Sequence, residues 1–409
     1  MNSIIQYVKS SGMAAIALTM FAAVTLLAGV AIPAQAQTES VLYSFQGNGS
    51  GSGPDGNWPT AGPTLEGTTL YGTTWAGGSA GVGTVWAVNT TTGKEAVLYS
   101  FQGGLTDGAY PIGGVAYYKG SLYGTTVVGA GGGGTVFKLT KKGKKHVETI
   151  LYVFETGAAP TGSQPWYVTP VFDKEGNLYG TTVGGGAYSG GVVFKLSPSG
   201  EITVLHSFNP DYPSSYDGSS PLGGVSIDKK GNIYGATNAG GTYDLGVVYE
   251  ITAAGDYSIL FNFNGDDGYN AYAPPVLDKK GNLWGTAEDG YGFYGNVYEL
   301  NPKTGQMTII YQFPGDPYGA SPGAGALVFD AEGNLYGTTM GGGGTPCAIG
   351  GTIYKVTPAG GLTYLYAFTC EPDGQDPMGS VVFDKSGDLY TTTAAGGAEG
   401  VGAVIKLTP

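Results

Sequence analysis

Short apolar runs recur along the chain, and turn-forming residues bound each of them. The stretch from Val168 to Phe208 is typical, since it holds four such runs, rich in β-branched and aromatic residues and separated by Gly, Pro, Asn or Asp. Runs of this length and composition indicate strands rather than helices. Four antiparallel strands joined by turns make up one propeller blade, so this stretch predicts one blade.

The phrase Asn-Leu-Tyr-Gly-Thr-Thr, present at residues 177–182, recurs seven times with small variations. Its aromatic residue falls 50 to 56 residues after the previous one. A period of about 50 residues built from short strands is typical of propellers. We therefore predict an all-β protein, a seven-bladed β-propeller with four antiparallel strands per blade. The seven aromatic positions are Tyr71, Tyr123, Tyr179, Tyr234, Trp284, Tyr336 and Tyr390.

The last repeat lacks its fourth strand, because the chain ends at residues 404–409. A matching segment lies near the N-terminus, where residues 41–46 closely resemble residues 97–102. We predict that residues 40–46 complete the last blade as its outer strand. This closure pairs an edge that would otherwise invite aggregation, and it makes residues 37–409 a single domain.

Residues 1–36 are predicted to be a secretory signal peptide. Lys9 is the only charged residue there, an apolar stretch follows over residues 13–32, and Ala34-Gln35-Ala36 resembles a cleavage site. The alternative is an uncleaved membrane anchor. With cleavage no membrane span is expected, which predicts a secreted or cell-surface protein.

The charge of the chain narrows the classes of partner. The formal net charge is −13, and an acidic balance of this size argues against nucleic acid and anionic lipid. The basic cluster at residues 141–146 is interpreted as a solvated hairpin tip. We expect a monomer whose partner is a glycan or an extracellular protein.

Two cysteines, Cys347 and Cys370, are predicted to lie on the same face of the disc. Export to an oxidising space favours a disulfide between them. It would close a loop of 23 residues and contribute about 3 kcal/mol in the chain-entropy picture. Two free thiols are the alternative, and a metal site is disfavoured because no His is near either cysteine in sequence.

A second motif, Asp-x-x-Gly-Asn, precedes the aromatic phrase in most repeats. An Asp side chain can accept hydrogen bonds from the amides just ahead of it, and Gly can take the positive φ that a tight hairpin requires. These aspartates are interpreted as turn caps rather than catalytic acids. They are Asp173, Asp228, Asp278, Asp330 and, in a variant ending in Asp, Asp384.

Two families of loops are predicted to share one face: glycine-rich loops between the second and third strands, and Asp-Gly…Pro loops between blades. Carboxylates beside exposed rings suit neutral sugars, because rings stack on a pyranose and carboxylates accept from its hydroxyls. The same carboxylates could bind Ca²⁺, and no other cofactor is predicted. The alternative is that Asp-Gly is only a routine turn. The candidate ligand-binding residues are Trp58, Asp107, Tyr110, Tyr216, Asp217, Asp267, Tyr272, Asp316, Tyr318 and Asp373.

The central channel is predicted to be chemically quiet. The first strands that should line it contain small apolar residues, as in Gly223-Gly224-Val225, and no run of His, Glu or Arg projects there. His206 occupies a slot filled by Tyr or Phe in the other repeats, so it is interpreted as a packing substitution. A Ser-His-Asp system has no convincing base, and no catalytic or metal-binding residue is predicted.

The combination of Gly-Asn-Leu-Tyr-Gly-Thr-Thr, Gly-Gly, Val-Phe-Lys-Leu and Ser-Phe resembles the GloVer-type tandem repeat. Residues 178–208 and 335–368 carry the resemblance best, and it covers nearly the whole chain after residue 36. The resemblance implies an exported, propeller-like bacterial protein, and it supplies no catalytic residues.

These patterns favour a non-enzymatic extracellular binding or scaffold propeller that recognises a glycan or a protein through its loop-rich face. One alternative is a carbohydrate-active enzyme, a lyase or glycosidase, which would need two converging carboxylates. Asp217, Asp267 and Asp316 are its first candidates. A second alternative is a structural repeat protein stabilised by Ca²⁺.

Overall fold

Each repeat forms one antiparallel sheet whose strands pair in chain order, and seven such sheets form a seven-bladed β-propeller. The computed structural model describes residues 37–47, 53–157, 159–211, 217–344 and 349–409. The predicted signal peptide, Tyr216 and Cys347 lie outside these residues. Within the described ranges, no helix is long and apolar enough to cross a membrane.

The blades are numbered in chain order, and their strands are counted from the central channel outward. In blade 1 the strands are Thr64–Glu66, Thr69–Thr74, Thr84–Asn89 and Glu95–Ser100. In blade 2 they are Ala116–Tyr118, Ser121–Thr126, Thr135–Lys142 and Lys145–Val153. In blade 3 they are Val171–Phe172, Leu178–Thr182, Val192–Leu196 and Ile202–Ser207. In blades 4 to 6 they are Ser226–Ile227, Ile233–Ala236, Val247–Ile251 and Tyr257–Asn262; Val276–Leu277, Leu283–Ala287, Asn296–Asn301 and Gln306–Gln312; Val328–Phe329, Leu335–Gly341, Thr352–Val356 and Leu362–Ala367. In blade 7 they are Val382–Phe383, Leu389–Thr393, Ala403–Thr408 and, from the N-terminus, Thr38–Ser44.

The predicted closure of the ring is confirmed. Thr38–Ser44 pairs antiparallel with Ala403–Thr408, with Thr38 opposite Thr408 and Ser44 opposite Ala403. The outer strand of the last blade therefore comes from the opposite end of the chain, so the ring is sealed by main-chain hydrogen bonds.

The glycine of the aromatic phrase makes room for a large side chain on the third strand. A Cβ atom added to Gly180 would lie 2.7 Å from Phe194, and one added to Gly285 would lie 2.3 Å from the Tyr298 hydroxyl. In blade 7 the glycine is replaced by Thr391, and the residue opposite it is the smaller Ile405. The two positions therefore vary together to conserve packing volume.

The first threonine of the phrase links neighbouring blades. Its hydroxyl donates a hydrogen bond to a carbonyl at the start of the next blade, as Thr73 does to Gly113 at 2.7 Å. Thr392 makes the corresponding bond to Ala61 at 2.8 Å, which joins blade 7 to blade 1.

The phenylalanine that directly follows each outer strand packs into the next blade. Phe101, which is fully buried, lies edge-on to Phe137 with ring centroids 5.1 Å apart. Full burial of such a side chain contributes about 1.5–3 kcal/mol, and the edge-to-face geometry adds to it. The equivalent residues, all buried, are Phe45, Phe154, Phe208, Phe263, Phe313 and Phe368.

The interpretation of the Asp-x-x-Gly-Asn aspartates as turn caps agrees with their hydrogen bonds. Asp173 accepts from the Asn177 amide at 2.8 Å, from the Asn177 side chain at 2.7 Å and from the Tyr179 hydroxyl at 2.9 Å. Asp330 repeats this set with Asn334 and Tyr336. The aromatic phrase and the turn before it therefore form one hydrogen-bonded unit.

Candidate functional site

The two predicted loop families lie on one face and pair directly with each other. In every blade, the loop entering the blade pairs with the glycine-rich loop between its second and third strands. The strand pairs are Gly53–Asn57 with Ala76–Gly78, Gly108–Ala109 with Val128–Gly129, Gly218–Ser219 with Ala239–Gly240, and Ala320–Pro322 with the end of Leu335–Gly341. Single bridges join Ser163 to Gly184, Tyr269 to Asp289 and Gln375 to Ala395. We call this side of the disc the loop face.

One position per blade combines a constant backbone with a variable side chain. Trp58 and Tyr110 have positive φ values of 58° and 59°, a strained conformation for a residue with a side chain. The wall of the channel begins two residues later, for example at Thr60, so these positions surround the channel mouth. We call them the first ring: Trp58, Tyr110, Gln164, Ser220, Asn270, Ser321 and Asp376.

A second set of seven positions directly follows the aromatic phrase. Trp75 donates its amide to the Trp58 carbonyl at 3.0 Å, and Glu288 donates its amide to the Asn270 carbonyl at 3.2 Å. The second set is therefore attached to the first ring by main-chain hydrogen bonds. We call it the second ring: Trp75, Val127, Val183, Asn238, Glu288, Met340 and Ala394.

Three aromatic side chains of these rings lie side by side on blades 1 and 2. The Trp58 and Trp75 ring centroids are 5.4 Å apart, and those of Trp75 and Tyr110 are 6.4 Å apart. Trp75 is 40% exposed and Tyr110 is 36% exposed. Trp58, Trp75 and Tyr110, which we call the aromatic row, therefore present a stepped, partly exposed surface to solvent.

A group of acidic and phenolic side chains also lies at the channel mouth, centred on Glu288 of blade 5. The Tyr272 hydroxyl donates a hydrogen bond to the Glu288 carboxyl group. Burial raises the pKa of Glu288 above its usual range; the bond from Tyr272 opposes this rise, and the charge of Asp289 adds to it. Burial and the charge of Glu288 raise the pKa of Tyr167, which lines the channel. Glu288 thus lies at the channel mouth with a pKa above that of a free glutamate.

The channel itself has a volume of ≈ 820 Å³ and small or apolar walls. The Ser226 hydroxyl donates to the Pro275 carbonyl at 2.6 Å, and the Thr60 hydroxyl donates to the Ile112 carbonyl at 2.9 Å. Hydroxyl groups of the wall are thus engaged between blades. The apolar lining expected from the sequence is present, whereas the Glu288 group at the mouth was not anticipated.

Three of the predicted ligand-binding aspartates are held by hydrogen bonds where neighbouring blades meet. Asp107 accepts from the Tyr99 hydroxyl at 2.9 Å and from the Gln102 amide at 2.7 Å, and it is 5% exposed. Asp373 is held in the same way by Tyr366.

Asp217 is clamped in a similar way, and it accepts from the Tyr257 hydroxyl at 2.6 Å. Burial would raise the pKa of Asp217, but hydrogen bonds from His206 and Tyr257 outweigh burial and lower it. His206, interpreted as a packing substitution, thus also bonds to a carboxylate.

The other candidates are dispersed over the loop face. Asp267 accepts from the Asn264 amide at 2.9 Å, and burial raises its pKa. Asp316 is exposed and accepts from the Gly344 amide at 3.0 Å. Tyr318 is 55% exposed, and its carbonyl accepts from Tyr364.

The structure brings Trp58 and Tyr110 together through Trp75, and it brings Tyr272 to Glu288. Trp75 and Glu288 were missed from the sequence. The signal that would have found them is the position immediately after the Gly-Thr-Thr of each repeat, because this position varies while the phrase before it is nearly constant. Among the described residues, no group of three or more His, Cys, Asp or Glu side chains is arranged to hold a metal ion.

Comparison with known proteins identifies a repeat family and a fold. The sequence profile of the Gloeobacter/Verrucomicrobia repeat matches residues 29–226 and 220–409. An oligogalacturonate lyase from Vibrio parahaemolyticus has a similar structure, with a TM-score of 0.56 and 13% identity over 90% of this chain and 93% of its own. A protein from Lactobacillus plantarum gives a TM-score of 0.50 and 16% identity over 80% of this chain and 88% of its own. No curated protein matches the sequence. At these identities the structural similarity shows the propeller fold alone.

Proposed function

The chain belongs to the Gloeobacter/Verrucomicrobia repeat family, and on this premise we propose that it is an exported glycan-binding protein. The aromatic row is the proposed binding surface. Polar main-chain and side-chain groups of the loop face would supply the hydrogen bonds to the sugar hydroxyls. The same face also suits an extracellular protein partner, and the experiment below separates the two.

One observation carries the proposal: three aromatic rings lie in contact on the loop face, with Trp75 and Tyr110 each more than one third exposed. A folded protein usually buries such rings or uses them for binding. Aromatic rings that follow one another along a surface can stack on the apolar faces of successive pyranose units. A surface of this type is expected to bind an extended sugar chain rather than a single sugar.

The backbone holds the row in a fixed geometry. The Trp58 amide donates a hydrogen bond to the Val401 carbonyl at 2.9 Å, and the Trp58 carbonyl accepts one from the Trp75 amide. These two bonds hold Trp58 in its strained conformation. Tyr110 is held by the corresponding bond to Val82 at 2.8 Å. A rigid surface loses little conformational entropy on binding, which supports a role in recognition.

The loop face also concentrates the exposed apolar side chains. Among the described residues, nine of the thirteen large hydrophobic side chains that are exposed lie in its loops. Such an accumulation indicates the side of the protein on which an interaction surface lies, and within this side the proposed sugar contacts are those of the aromatic row alone. The nine are Trp75, Leu105, Tyr110, Tyr188, Tyr243, Tyr291, Tyr294, Tyr318 and Ile349.

The direct test is binding to neutral polymers: xyloglucan, laminarin, galactomannan and hydroxyethylcellulose in affinity electrophoresis, followed by titration calorimetry. Trp75→Ala and Tyr110→Ala should each weaken binding about ten-fold, equivalent to about 1.4 kcal/mol. The matched control is Tyr243→Ala, which removes a ring that is 57% exposed in a loop outside the row. Absence of binding to all four polymers, or equal losses in the three variants, would refute the proposal.

The Glu288 group supports a second candidate, a carbohydrate-active enzyme. A half-buried carboxyl group with a raised pKa, bonded to a tyrosine, is suited to proton transfer. The test is the release of reducing ends, or of unsaturated products absorbing in the ultraviolet, from the same polymers. Activity lost in Glu288→Gln and retained in Trp75→Ala would favour the enzyme.

Export and the disulfide complete the proposal. The mature protein is proposed to begin near Gln37 and to carry a bond between Cys347 and Cys370. Support comes from the apolar segment at residues 13–32 followed by Ala34-Gln35-Ala36. Mass spectrometry of the protein recovered from culture medium, without reduction, tests both features. A chain that still contains residues 1–36, or one whose mass shifts by two alkylated thiols, would contradict them.

A further inference from the structure

The charged residues of this chain are distributed unequally between the two faces of the disc. The loop face consists of the loops between blades and the loops between second and third strands. These loops contain fifteen of the thirty-one acidic residues and none of the eighteen lysines. The sequence contains no arginine, and its two histidines lie within outer strands.

The lysines lie on the strands or at the opposite side. Because the strands are antiparallel, the turns joining first to second and third to fourth strands are at the other end of each blade. The seventeen lysines beyond residue 36 are all described, and each is in one of those turns or on a strand. Lys119, Lys174 and Lys385 are examples of the former, and Lys138, Lys195 and Lys406 of the latter. The negative charge of the protein is therefore concentrated on the loop face.

Acidic groups lie on the blade next to the aromatic row and across the channel mouth. Asp376 is the first-ring residue of blade 7, next to Trp58 of blade 1, and burial raises its pKa. Glu288 and Asp289 lie at the mouth on blade 5. Other acidic residues of this face are exposed: Glu155, Asp211, Asp244, Asp266, Asp316, Glu371 and Glu399.

From this distribution we infer that the aromatic row selects uncharged sugar chains and excludes chains of uronic acids. The inference rests on the proposed glycan-binding function and specifies its substrate class. Ring stacking supplies attraction that does not depend on the charge of the sugar. The charge of the face then determines which of the sugars able to stack can approach.

Two physical effects oppose a polyuronate on this face. Carboxylates brought within a Debye length of like charges, about 10 Å at 0.1 M salt, are repelled. Recognition of a carboxylate also requires a donor of positive charge, most often Arg in bidentate geometry or Lys. No lysine, arginine or histidine of the described loops is present to supply it. A uronate would lose its hydration on this face without gaining a charged partner.

The test uses one polymer in two charge states. The neutral polymer that binds best in the panel above is oxidised at C6, which converts its primary hydroxyl groups to carboxylates and leaves the backbone unchanged. Polygalacturonic acid serves as a second anionic probe. Titration calorimetry at 20 mM and 500 mM NaCl should show binding of the oxidised form about ten-fold weaker at low salt, with much of the loss recovered at high salt. The neutral form should bind equally at both.

A matched pair of variants tests the role of face charge. Leu105 is 83% exposed in the loop that also contains Tyr110, and it belongs to neither ring. Leu105→Lys should reduce the difference between the neutral and oxidised polymers, whereas Leu105→Glu should not. Both variants should bind the neutral polymer as the parent does.

The outcomes separate the two proposals. If the oxidised polymer or polygalacturonate binds as tightly as the neutral one, or if the loss on oxidation does not change with salt, selectivity by charge is wrong while glycan binding stands. If no neutral polymer binds, the proposed function itself fails, and the selectivity with it.

Discussion

The Nε2 atom of His206 lies 2.9 Å from Oδ2 of Asp217, in the place where the Tyr99 hydroxyl contacts Asp107 at 2.9 Å in another junction. The imidazole also stacks on Tyr257 with centroids 3.6 Å apart, and the Tyr257 hydroxyl donates to Asp217 at 2.6 Å. Asp217 is thus held by a side chain from each of two adjacent blades. This contact joins blade 3 to blade 4.

This arrangement predicts that His206 can be replaced by tyrosine but not by phenylalanine. Phenylalanine keeps the ring and removes the hydrogen bond to a partly buried carboxylate, which should lower the free energy of unfolding by about 1.5–3 kcal/mol. His206→Tyr restores a hydroxyl donor of the kind present at Tyr99 and should remain within about 0.5 kcal/mol of the parent. Urea unfolding followed by fluorescence measures both. Equal stability of the two variants would show that the contact is only packing.

The acidic residues of the outer strands predict that stability falls as pH rises. Burial, together with the charge of Asp55, raises the pKa of Glu95 to about 7, and burial with Asp107 raises that of Glu148 to about 7. One carboxyl oxygen of each glutamate is buried with no hydrogen-bond partner among the described residues. In the unfolded chain both groups titrate near 4.5. The stability associated with their protonated forms is therefore complete below pH 4.5 and is lost as pH rises through 7.

The double variant Glu95→Gln/Glu148→Gln should remove most of this dependence. Because both side chains are partly exposed, solvent screening limits the gain at about pH 8 to roughly 1 kcal/mol per site. Thermal unfolding between about pH 5 and pH 8 should show a falling melting temperature for the parent and a flatter profile for the variant. Glu201→Gln, at an exposed position beside an outer strand, is the control. A parent and a variant with parallel profiles would contradict the prediction.

The sequence was sufficient to predict the architecture, because every repeat carries the same pattern of strands and turns. The aromatic phrase, its glycine and its first threonine each satisfy a local packing or hydrogen-bonding need, so periodicity alone located the blades and the closing strand. The hydrogen bonds that hold Asp107 and Asp217 were harder to predict. Asp107 and Asp217 are acidic residues in surface loops by sequence, and only the fold shows that Tyr99, His206 and Tyr257 reach them.

The site was only partly predictable, since it depends on which variable side chains meet. Trp58 and Tyr110 were candidates as aromatic residues in loops, but the contact between them passes through Trp75, which lies in the other loop family. Tyr272 was a candidate, but its partner Glu288 is 16 residues further along the chain and becomes its neighbour only through the pairing of the two loop families. Contacts of this kind are set by loop pairing rather than by the repeat period.

The pair Gly285 and Tyr298 provides a double-variant test of core packing. The Tyr298 hydroxyl is fully buried and has no hydrogen-bond partner among the described residues. Removing it in Tyr298→Phe should therefore raise stability, by about 1 kcal/mol. Gly285→Ala would place a Cβ atom 2.3 Å from that hydroxyl and should lower stability by about 1–3 kcal/mol through overpacking.

Combining the two changes should recover only part of the loss, because the phenylalanine lacks the nearest atom, the hydroxyl at 2.3 Å, but keeps the ring carbon Cζ, which the added Cβ would approach to 2.5 Å. The coupling energy from the cycle is expected to be about 0.5–3 kcal/mol. Gly341→Ala, whose added Cβ would lie at an ordinary 3.4 Å from Ala320, is the control for a glycine in a strand. Strictly additive effects would mean that the hydroxyl and the glycine do not share space.

The N-terminal strand gives the most demanding prediction, because it tests the closure of the ring. Deletion of residues 38–46 removes the strand Thr38–Ser44 and exposes the edge of Ala403–Thr408. It also removes the buried Phe45, whose ring centroid lies 5.7 Å from that of Trp86. Loss of one buried aromatic side chain alone costs about 3–5 kcal/mol, and the unpaired edge adds a tendency to aggregate. We expect the truncated protein to unfold at least about 10 °C lower or to be recovered as aggregates. A chain starting at Gln37 is the control, and adding a synthetic peptide of residues 37–47 should restore part of the lost stability. A truncated monomer with an unchanged melting temperature would show that the ring closes without this strand.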